Sequence, residues 1–307
     1  MRALQPVGGG VASVALGRRP APRQAPGEVI IAVESFSVNR GETFLLERRD
    51  PPHPGKDVAG RVQWVAEDVS GIEVGQRVVA HLDGAGWAEL VAATPNQLAI
   101  LPESVSYQAA AALPLAGLTA LRLLRVCPPV AGRRLLLTGA SGGVGHFFVE
   151  LAAAHGCDIT VVTGSIERAA RLLVLGATRA VQSVDEVDGP FDIAIESVGG
   201  ASLQAAWARL VPDGHMVWMG QASRTVPAFD FLDWRGATSG TLRRFHYAAD
   251  PTPVADDLAV LVRLTAAGRL HPEIGLDDSW QRAPEAIAAL LERRVLGNVV
   301  LSVDRSS

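Results

Sequence analysis

Apolar and polar positions divide the 307-residue chain into two regimes. In the first third, short apolar stretches are separated by turn residues. Glu28–Val33 follows Pro26-Gly27, Val58–Val65 is a second stretch, Gln76–His81 follows Gly75, and Trp87–Val91 is a fourth. Closely spaced short strands bounded by Gly and Pro predict an antiparallel, barrel-like β unit. From Tyr107 the pattern turns helical, with Pro114 splitting 107–126 into two helices, because proline cannot continue a helix through its own position. Beyond Gly132 strand and helix alternate. Strands are expected at Leu135–Thr138, Ile159–Thr163, Arg179–Gln182, Phe191–Glu196 and His215–Met219. Helices are expected at Gly143–His155, Glu167–Leu175 and Leu203–Leu210. Alternation of that kind implies βαβ units on a parallel, doubly wound sheet. Two helices, Asp256–Ala267 and Pro284–Arg293, and a strand at Val299–Val303 close the chain.

Composition narrows the classes of function. The net charge is −4 and Lys/Arg are dispersed, so no concentrated basic footprint for nucleic acid or an anionic membrane is expected. The two cysteines, Cys127 and Cys157, cannot build a disulfide framework or a four-cysteine zinc site. No run reaches the ~20 apolar residues of a spanning helix, and Met1–Pro20 lacks the plan of a signal peptide, so a cytoplasmic location is expected.

The strongest candidate chemistry is Leu135-Leu-Leu-Thr-Gly-Ala-Ser-Gly-Gly-Val-Gly145. A buried strand running into glycines and then a helix suits a dinucleotide pyrophosphate: glycine allows close approach, and the helix N-terminus offers N–H groups and a positive dipole end. Ala140, Gly142 and Gly145 stand in register with a G-x-G-x-x-G pattern, the first glycine being displaced to Gly139. Ser141, Gly143 and Val144 complete the loop. The next strand ends in Thr163-Gly-Ser165 without the acid that binds the 2′-hydroxyl of NAD, and Arg168 follows. Ser165 and Arg168 fit a 2′-phosphate through charge-assisted hydrogen bonds, which favours NADPH. The plainer alternative for Arg168 is a solvated charge beside Glu167. Val198 and the pair Gly220-Gln221 end further strands at the carboxyl edge, where ligands bind in such sheets.

Several motifs in order resemble the medium-chain dehydrogenase/reductase superfamily, in its zinc-independent, zeta-crystallin-like quinone oxidoreductase branch. They are Ser37-Val-Asn-Arg-Gly-Glu42, Gly55-Lys-Asp-Val-Ala-Gly-Arg-Val62, Leu113-Pro-Leu-Ala-Gly-Leu-Thr-Ala120 and Gly297-Asn-Val-Val-Leu301. The resemblance implies a doubly wound (Rossmann) cofactor domain at 113–244 inserted in a GroES-like, barrel-like catalytic domain formed by 1–112 and 245–307. It also implies a homodimer. Asn39, Lys56 and Leu115 stand where zinc-dependent members carry ligands, and the four cysteines of their structural-zinc lobe are missing near Ala80–Glu89, so no metal is expected. Without a Lewis acid, an electron-poor quinone or enone is a more fitting acceptor than a simple carbonyl.

By motif position, Asn39 and Thr119 are expected near the nicotinamide, Asn39 offering an N–H to the substrate oxygen or the carboxamide. Its alternative is a plain turn residue. Asn298, where relatives often carry Lys, is a candidate cofactor contact or a turn residue. Tyr247 is a candidate proton donor or an aromatic packing residue. Arg243-Arg244 is a surface pair able to attract an anionic acyl carrier. The leading expectation is an NADPH-dependent reductase of a quinone or an α,β-unsaturated carbonyl compound. Its rivals are a trans-acting enoyl reductase on acyl or polyketide chains, and a cofactor-binding sensor or structural protein with little turnover.

Overall fold

A computed structural model describes residues 1–8, 14–230, 232–233 and 235–304. Gly9 and Gly10 of the N-terminal glycine triplet lie outside the described residues. The chain resolves into two units, Met1–Leu118 with Thr252–Ser307, and Thr119–Pro251. These changeovers compare with expected ones at 112/113 and 244/245.

The first unit opens with an antiparallel pair, β1 (Arg2–Pro6) and β2 (Val14–Arg18). Next come β3 (Val29–Val38), α1 (Arg40–Leu46), β4 (Asp57–Val65), β5 (Arg77–His81), β6 (Leu90–Ala93), β7 (Leu98–Ile100), α2 (Tyr107–Ala111) and α3 (Pro114–Val126), within which the chain changes unit. Nine of the ten β3 residues are buried. The strand pairs antiparallel with β4 and β6, and burial on both faces is what makes Val29–Val33 an apolar run rather than an alternation. The fourth expected strand, Trp87–Val91, is displaced to Leu90–Ala93. Trp87 instead plugs the core at 1% exposure, and its indole N–H donates to the Ser37 carbonyl over 2.9 Å.

The second unit contains β8 (Arg134–Thr138), α4 (Gly143–Ala153), β9 (Asp158–Val162), α5 (Ala170–Val174), β10 (Arg179–Val181), β11 (Phe191–Glu196), α6 (Ala201–Trp207), β12 (Leu210–Trp218) and β13 (Thr241–Arg244). All pairings of its six-stranded sheet are parallel, in the order β10-β9-β8-β11-β12-β13. Counted along the chain this is the 3-2-1-4-5-6 order of a doubly wound sheet, with its topological switch between β8 and β11. Leu135, Leu136 and Leu137 are fully buried, as a central parallel strand covered on both faces requires.

The chain then returns to the first unit through α7 (Val254–Ala266), β14 (Ile274–Ser279), α8 (Ala283–Leu291) and β15 (Asn298–Ser302). Strand β15 pairs antiparallel with β3 and parallel with β14, so residues far apart in sequence complete one seven-stranded sheet. Its core gathers Phe36, Trp87 and Trp280, with Phe36 and Trp87 stacked 5.8 Å apart. No helix among the described residues is long and apolar enough to cross a membrane.

Candidate active site

At the carboxyl end of β8 the chain makes a left-handed turn at Gly139, where φ is +63° and a Cβ would lie 2.3 Å from Ser197 Oγ. The displaced glycine is thus the one the turn demands, while Ala140 beside it is fully buried. Gly145 is needed for packing, since a Cβ there would sit 2.0 Å from the Ala140 carbonyl oxygen. Helix α4 is capped by Gly142, which has no side chain to bond the first-turn N–H groups. Around Gly142 the space is open, the only atom within 4 Å of a Cβ being the Gly139 oxygen at 3.9 Å. Open space, an uncapped helix start and a positive dipole end fit a pyrophosphate.

Strand β11 ends in Glu196, a fully buried carboxylate. Its Oε1 accepts from Thr138 Oγ1 (2.9 Å), Val198 N (3.0 Å) and Ser202 Oγ (3.0 Å), and its Oε2 from Gly199 N (2.8 Å). Ser197 completes the tie, its hydroxyl donating to the Thr138 carbonyl at 2.9 Å. These bonds hold Gly199 and Gly200 at positive φ, +78° and +56°. Gln221 packs on Gly199, where a Cβ would lie 2.7 Å from Gln221 Cγ, and a Cβ on Gly220 would lie 3.0 Å from the Ser197 oxygen. The fold therefore gathers Val198, Gly220 and Gln221 with the Gly139 turn at the switch point. Glu196, Ser197 and Ser202 escaped the sequence reading. The signal available was an acid closing an otherwise apolar strand directly ahead of a glycine pair.

The strand β9 edge is built differently from the expectation. Thr163 is 3% exposed, and its hydroxyl is used locally: it donates to the Ser165 carbonyl and accepts from Ser165 N at 3.3 Å. Arg168 lies half-buried in a turn before α5, because that helix starts at Ala170 and not at Glu167. Glu167 is exposed, and its own backbone N–H together with the Ser165 hydroxyl holds its carboxyl below the ordinary range. An acid the sequence reading took for a helix neighbour of Arg168 thus engages Ser165.

Thr119 is half-buried on α3. Three residues along that helix, Arg122 is 2% exposed and donates to the Tyr247 carbonyl at 2.8 Å, anchoring the turn Tyr247–Ala249. The Tyr247 ring sits 5.6 Å from that of His246. Burial pushes the Cys127 thiol up to about 12 and the Cys157 thiol to about 11, so neither is a thiolate at neutral pH.

In the first unit, β3 runs into Asn39, the N-cap of α1, and the antiparallel register sets Asp57 opposite His81. Asp57 is fully buried and accepts from Ser37 Oγ (2.8 Å), Asn39 Nδ2 (2.7 Å) and Leu115 N (3.1 Å), with His81 Nδ1 at 2.7 Å from its other oxygen. Glu42, 2% exposed, takes Asn39 N and Asn39 Nδ2 on Oε2 and Gly55 N on Oε1, each at 3.1 Å. Burial, then the nearby Asp57 charge, pushes the Glu42 carboxyl up to about 7. Asn39 Nδ2 also lies 2.9 Å from Ser37 Oγ.

These contacts correct the expectation for Asn39. An amide nitrogen has two hydrogens, and two carboxylates with a serine oxygen absorb them, so Asn39 has no N–H left for a substrate. Its Oδ1 faces the Glu42 backbone N–H in the capping box of α1, and the second lone pair of that oxygen is what it can still offer. Asn298 is similarly committed, its backbone and side-chain N–H groups both donating to the Glu273 carbonyl, at 2.8 and 3.0 Å. Of the three positions matching zinc ligands in relatives, Asn39 and Leu115 meet around Asp57 and Lys56 directly precedes it, but they bring an amide, a backbone N–H and an ammonium. Among the described residues, no three His, Cys, Asp or Glu side chains are grouped to hold a metal ion.

Residues 25–105 match the alcohol dehydrogenase GroES-like domain family, and residues 173–301 match the zinc-binding dehydrogenase family. The chain is 29% identical over 338 residues to the chloroplast envelope quinone oxidoreductase homolog of Arabidopsis thaliana, covering 98% of each. The solved structure of a mycobacterial quinone oxidoreductase covers 98% of this chain and 99% of its own, at 27% identity and a TM-score of 0.84. Over nearly its whole length the chain is similar to quinone oxidoreductases. A further mycobacterial structure, solved with NADPH, is 26% identical over 98% of this chain and 100% of its own, with a TM-score of 0.88. The chain is also 29% identical over 292 residues to a segment of the polyketide synthase GfsB of Streptomyces halstedii, which spans 90% of this chain and 5% of the synthase. The Glu196 tie and the Glu42–Asp57 pair are features that the short motifs do not reveal.

Proposed function

We propose that the protein is an NADPH-dependent reductase of quinones or α,β-unsaturated carbonyl compounds. The observation that carries this reading is the uncapped, open helix start at Gly142, fixed by Gly139 and Gly145 beside the Glu196 tie. The NADPH complex of the mycobacterial relative supports it.

In this reading the second unit is the cofactor domain. The N–H groups of Gly143, Val144 and Gly145, with Ala140, Ser141 and Gly142 shaping the loop, hold the pyrophosphate. Ser165 and Arg168 take the 2′-phosphate beside the Thr163 turn, and Val198, Gly220 and Gln221 line the approach to the nicotinamide. NADPH supplies the hydride when bound, and the acceptor's own carbonyl spreads the charge that arrives with it. The chain contributes orientation and electrostatics. In the first unit Asn39 is the candidate polar group, an acceptor through Oδ1. Thr119 and Tyr247 are the candidate polar groups of the second unit, and Tyr247→Phe tests whether the phenol moves a proton.

A second reading, an enoyl reductase acting on carrier-bound chains, is favoured by the match to the synthase segment and by the exposed pair Arg243-Arg244 on β13. A homodimer fits the open edge of β13, whose residues are all exposed, and light scattering tests it. NADPH consumption followed against quinones, enones and enoyl thioesters separates the readings. Consumption with quinones or enones supports the first. Consumption confined to thioesters supports the second, and NADPH binding with no acceptor consumed replaces both with a sensor.

A further inference from the structure

One amide in the first unit lies between two buried acids. Asn39 Nδ2 is 2.7 Å from Asp57 Oδ2 and 3.1 Å from Glu42 Oε2, and both carboxyl groups are at most 2% exposed. No Arg or Lys ion pair is made by either acid among the described residues, and the imidazole of His81 sits on the far oxygen of Asp57. Two full negative charges sharing one amide, with burial stripping their hydration, are unfavourable. One proton on the pair removes the conflict, and the two acids are not equivalent in where it can go. Asp57 Oδ2 accepts from three donors, and its Oδ1 is occupied by the His81 ring at 2.7 Å. Glu42 borders a cavity of about 20 Å³ shared with His53, Lys56 and Asp83, which is room for one water molecule.

We propose that Glu42 and Asp57 share one proton up to about neutral pH, and that Glu42 is thereby a positioning residue that fixes the Asn39 side chain. The proton belongs on Glu42 Oε1, the oxygen not bonded to Asn39, where it can be donated to a water in the cavity. Oε2 then stays an acceptor for the Asn39 amide, and Asp57 takes the second amide hydrogen. Loss of the proton sets a second full charge beside Asp57 across the Asn39 amide, and the repulsion between the two carboxylates shifts the side chain held between them. The groups facing Glu42 are Asp57 across Asn39, Lys56 at the start of the Asp57 strand, and His53 and Asp83 across the cavity. His53 and Asp83 are exposed and give the proton a route to solvent. The elevated pKa of Glu42 agrees with this geometry. The consequence for turnover rests on the reductase reading above, whereas the titration itself does not.

The test is an amide-resolved NMR titration of the protein without cofactor, from about pH 5.5 to 8.5, alongside pH profiles of kcat/KM. In the wild type, the Asn39 side-chain amide signals shift with a midpoint near that of Glu42, and kcat/KM falls up to about tenfold per pH unit above it. In Glu42→Gln, a neutral isostere that keeps both an acceptor and a donor, the Asn39 signals and the alkaline limb are flat. The His81 ring, followed in the same spectra, separates its own ionisation from that of Glu42. Asn39 signals that stay flat in the wild type, or an alkaline limb that persists in Glu42→Gln, overturn the proposal. Should Glu42→Gln not fold, the carboxyl carbon of Glu42 in the wild type decides: a midpoint near neutrality supports the proposal, and one in the ordinary glutamate range overturns it. An Asn39 titration without any turnover retains this inference and defeats the reductase reading, and turnover without the titration does the reverse.

Discussion

Thr138 Oγ1 donates to Glu196 Oε1 over 2.9 Å, tying the strand that leads into the glycine turn to the strand that leads into Val198–Gly200. With three further donors on the same carboxylate, the bond couples two loops of the proposed cofactor site. Glu196→Gln replaces one acceptor oxygen by an NH2 that faces a donor, leaving buried groups unsatisfied at a cost of about 1–3 kcal/mol. The expected outcome is a lower melting temperature and a rise in the NADPH Kd of about tenfold or more, tenfold being ~1.4 kcal/mol. Fluorescence titration measures it, and an unchanged Kd removes Glu196 from the account.

Gly142 and Gly145, two glycines of the same cradle, should fail in different ways. Gly145→Ala forces a methyl to 2.0 Å from the Ala140 oxygen, so the loop must open and stability falls together with cofactor affinity. Gly142 has φ −84°, which alanine adopts freely, and open space around it. Gly142→Ala is therefore expected to keep its melting temperature while binding NADPH more weakly. Thermal unfolding paired with NADPH titration checks the contrast.

Arg168→Ala is expected to weaken NADPH by about tenfold or more and leave NADH nearly unchanged, because only the former carries the phosphate a guanidinium would pair with. Glu167 supplies the converse. Its carboxylate occupies the Ser165 hydroxyl and carries a charge of the wrong sign for that phosphate, so Glu167→Gln should tighten NADPH selectively. Equal effects on both cofactors for either variant would move the 2′-phosphate site elsewhere.

Glu42 gives stability a pH dependence with a definite sign. Its carboxyl is raised from 4.5 to about 7 in the folded chain, so between those values the native state binds more protons than the unfolded one. Stability from this group is fully present below 4.5 and is lost as pH rises through about 7. Relative to wild type, Glu42→Gln should therefore gain in melting temperature above neutral pH and show little gain in mild acid. Calorimetry at two pH values measures the difference, and a gain confined to acid would reverse the sign.

What was legible in the sequence follows from what each element is made of. Strand β11 was read with its full bounds at Phe191–Glu196 and β8 at Leu135–Thr138, because a covered parallel strand is an apolar run between polar punctuation. β13, Thr-Leu-Arg-Arg, carries no buried residue, and β14 carries Gly275, Asp277 and Asp278, so neither declares itself as a strand. Their identity comes from neighbours, β12 and β15, supplied by distant parts of the chain. The glycine turn was visible since backbone geometry restricts which residue can stand at Gly139 and Gly145. The buried acids were not. Asp57 and Glu42 sat inside recognised motifs, yet nothing local says that they share one amide, and Glu196 meets Thr138 across 58 residues. An acid's burial is a tertiary fact, and so is the direction in which Asn39 turns its amide.

The most direct test of the central claim is the steady-state rate of quinone or enone reduction measured with NADPH and, under the same conditions, with NADH. The account predicts consumption of the acceptor with both, and a kcat/KM for NADPH at least about tenfold higher, the magnitude one well-placed charge-assisted contact supplies. No acceptor consumption with NADPH, or a preference for NADH, would contradict it.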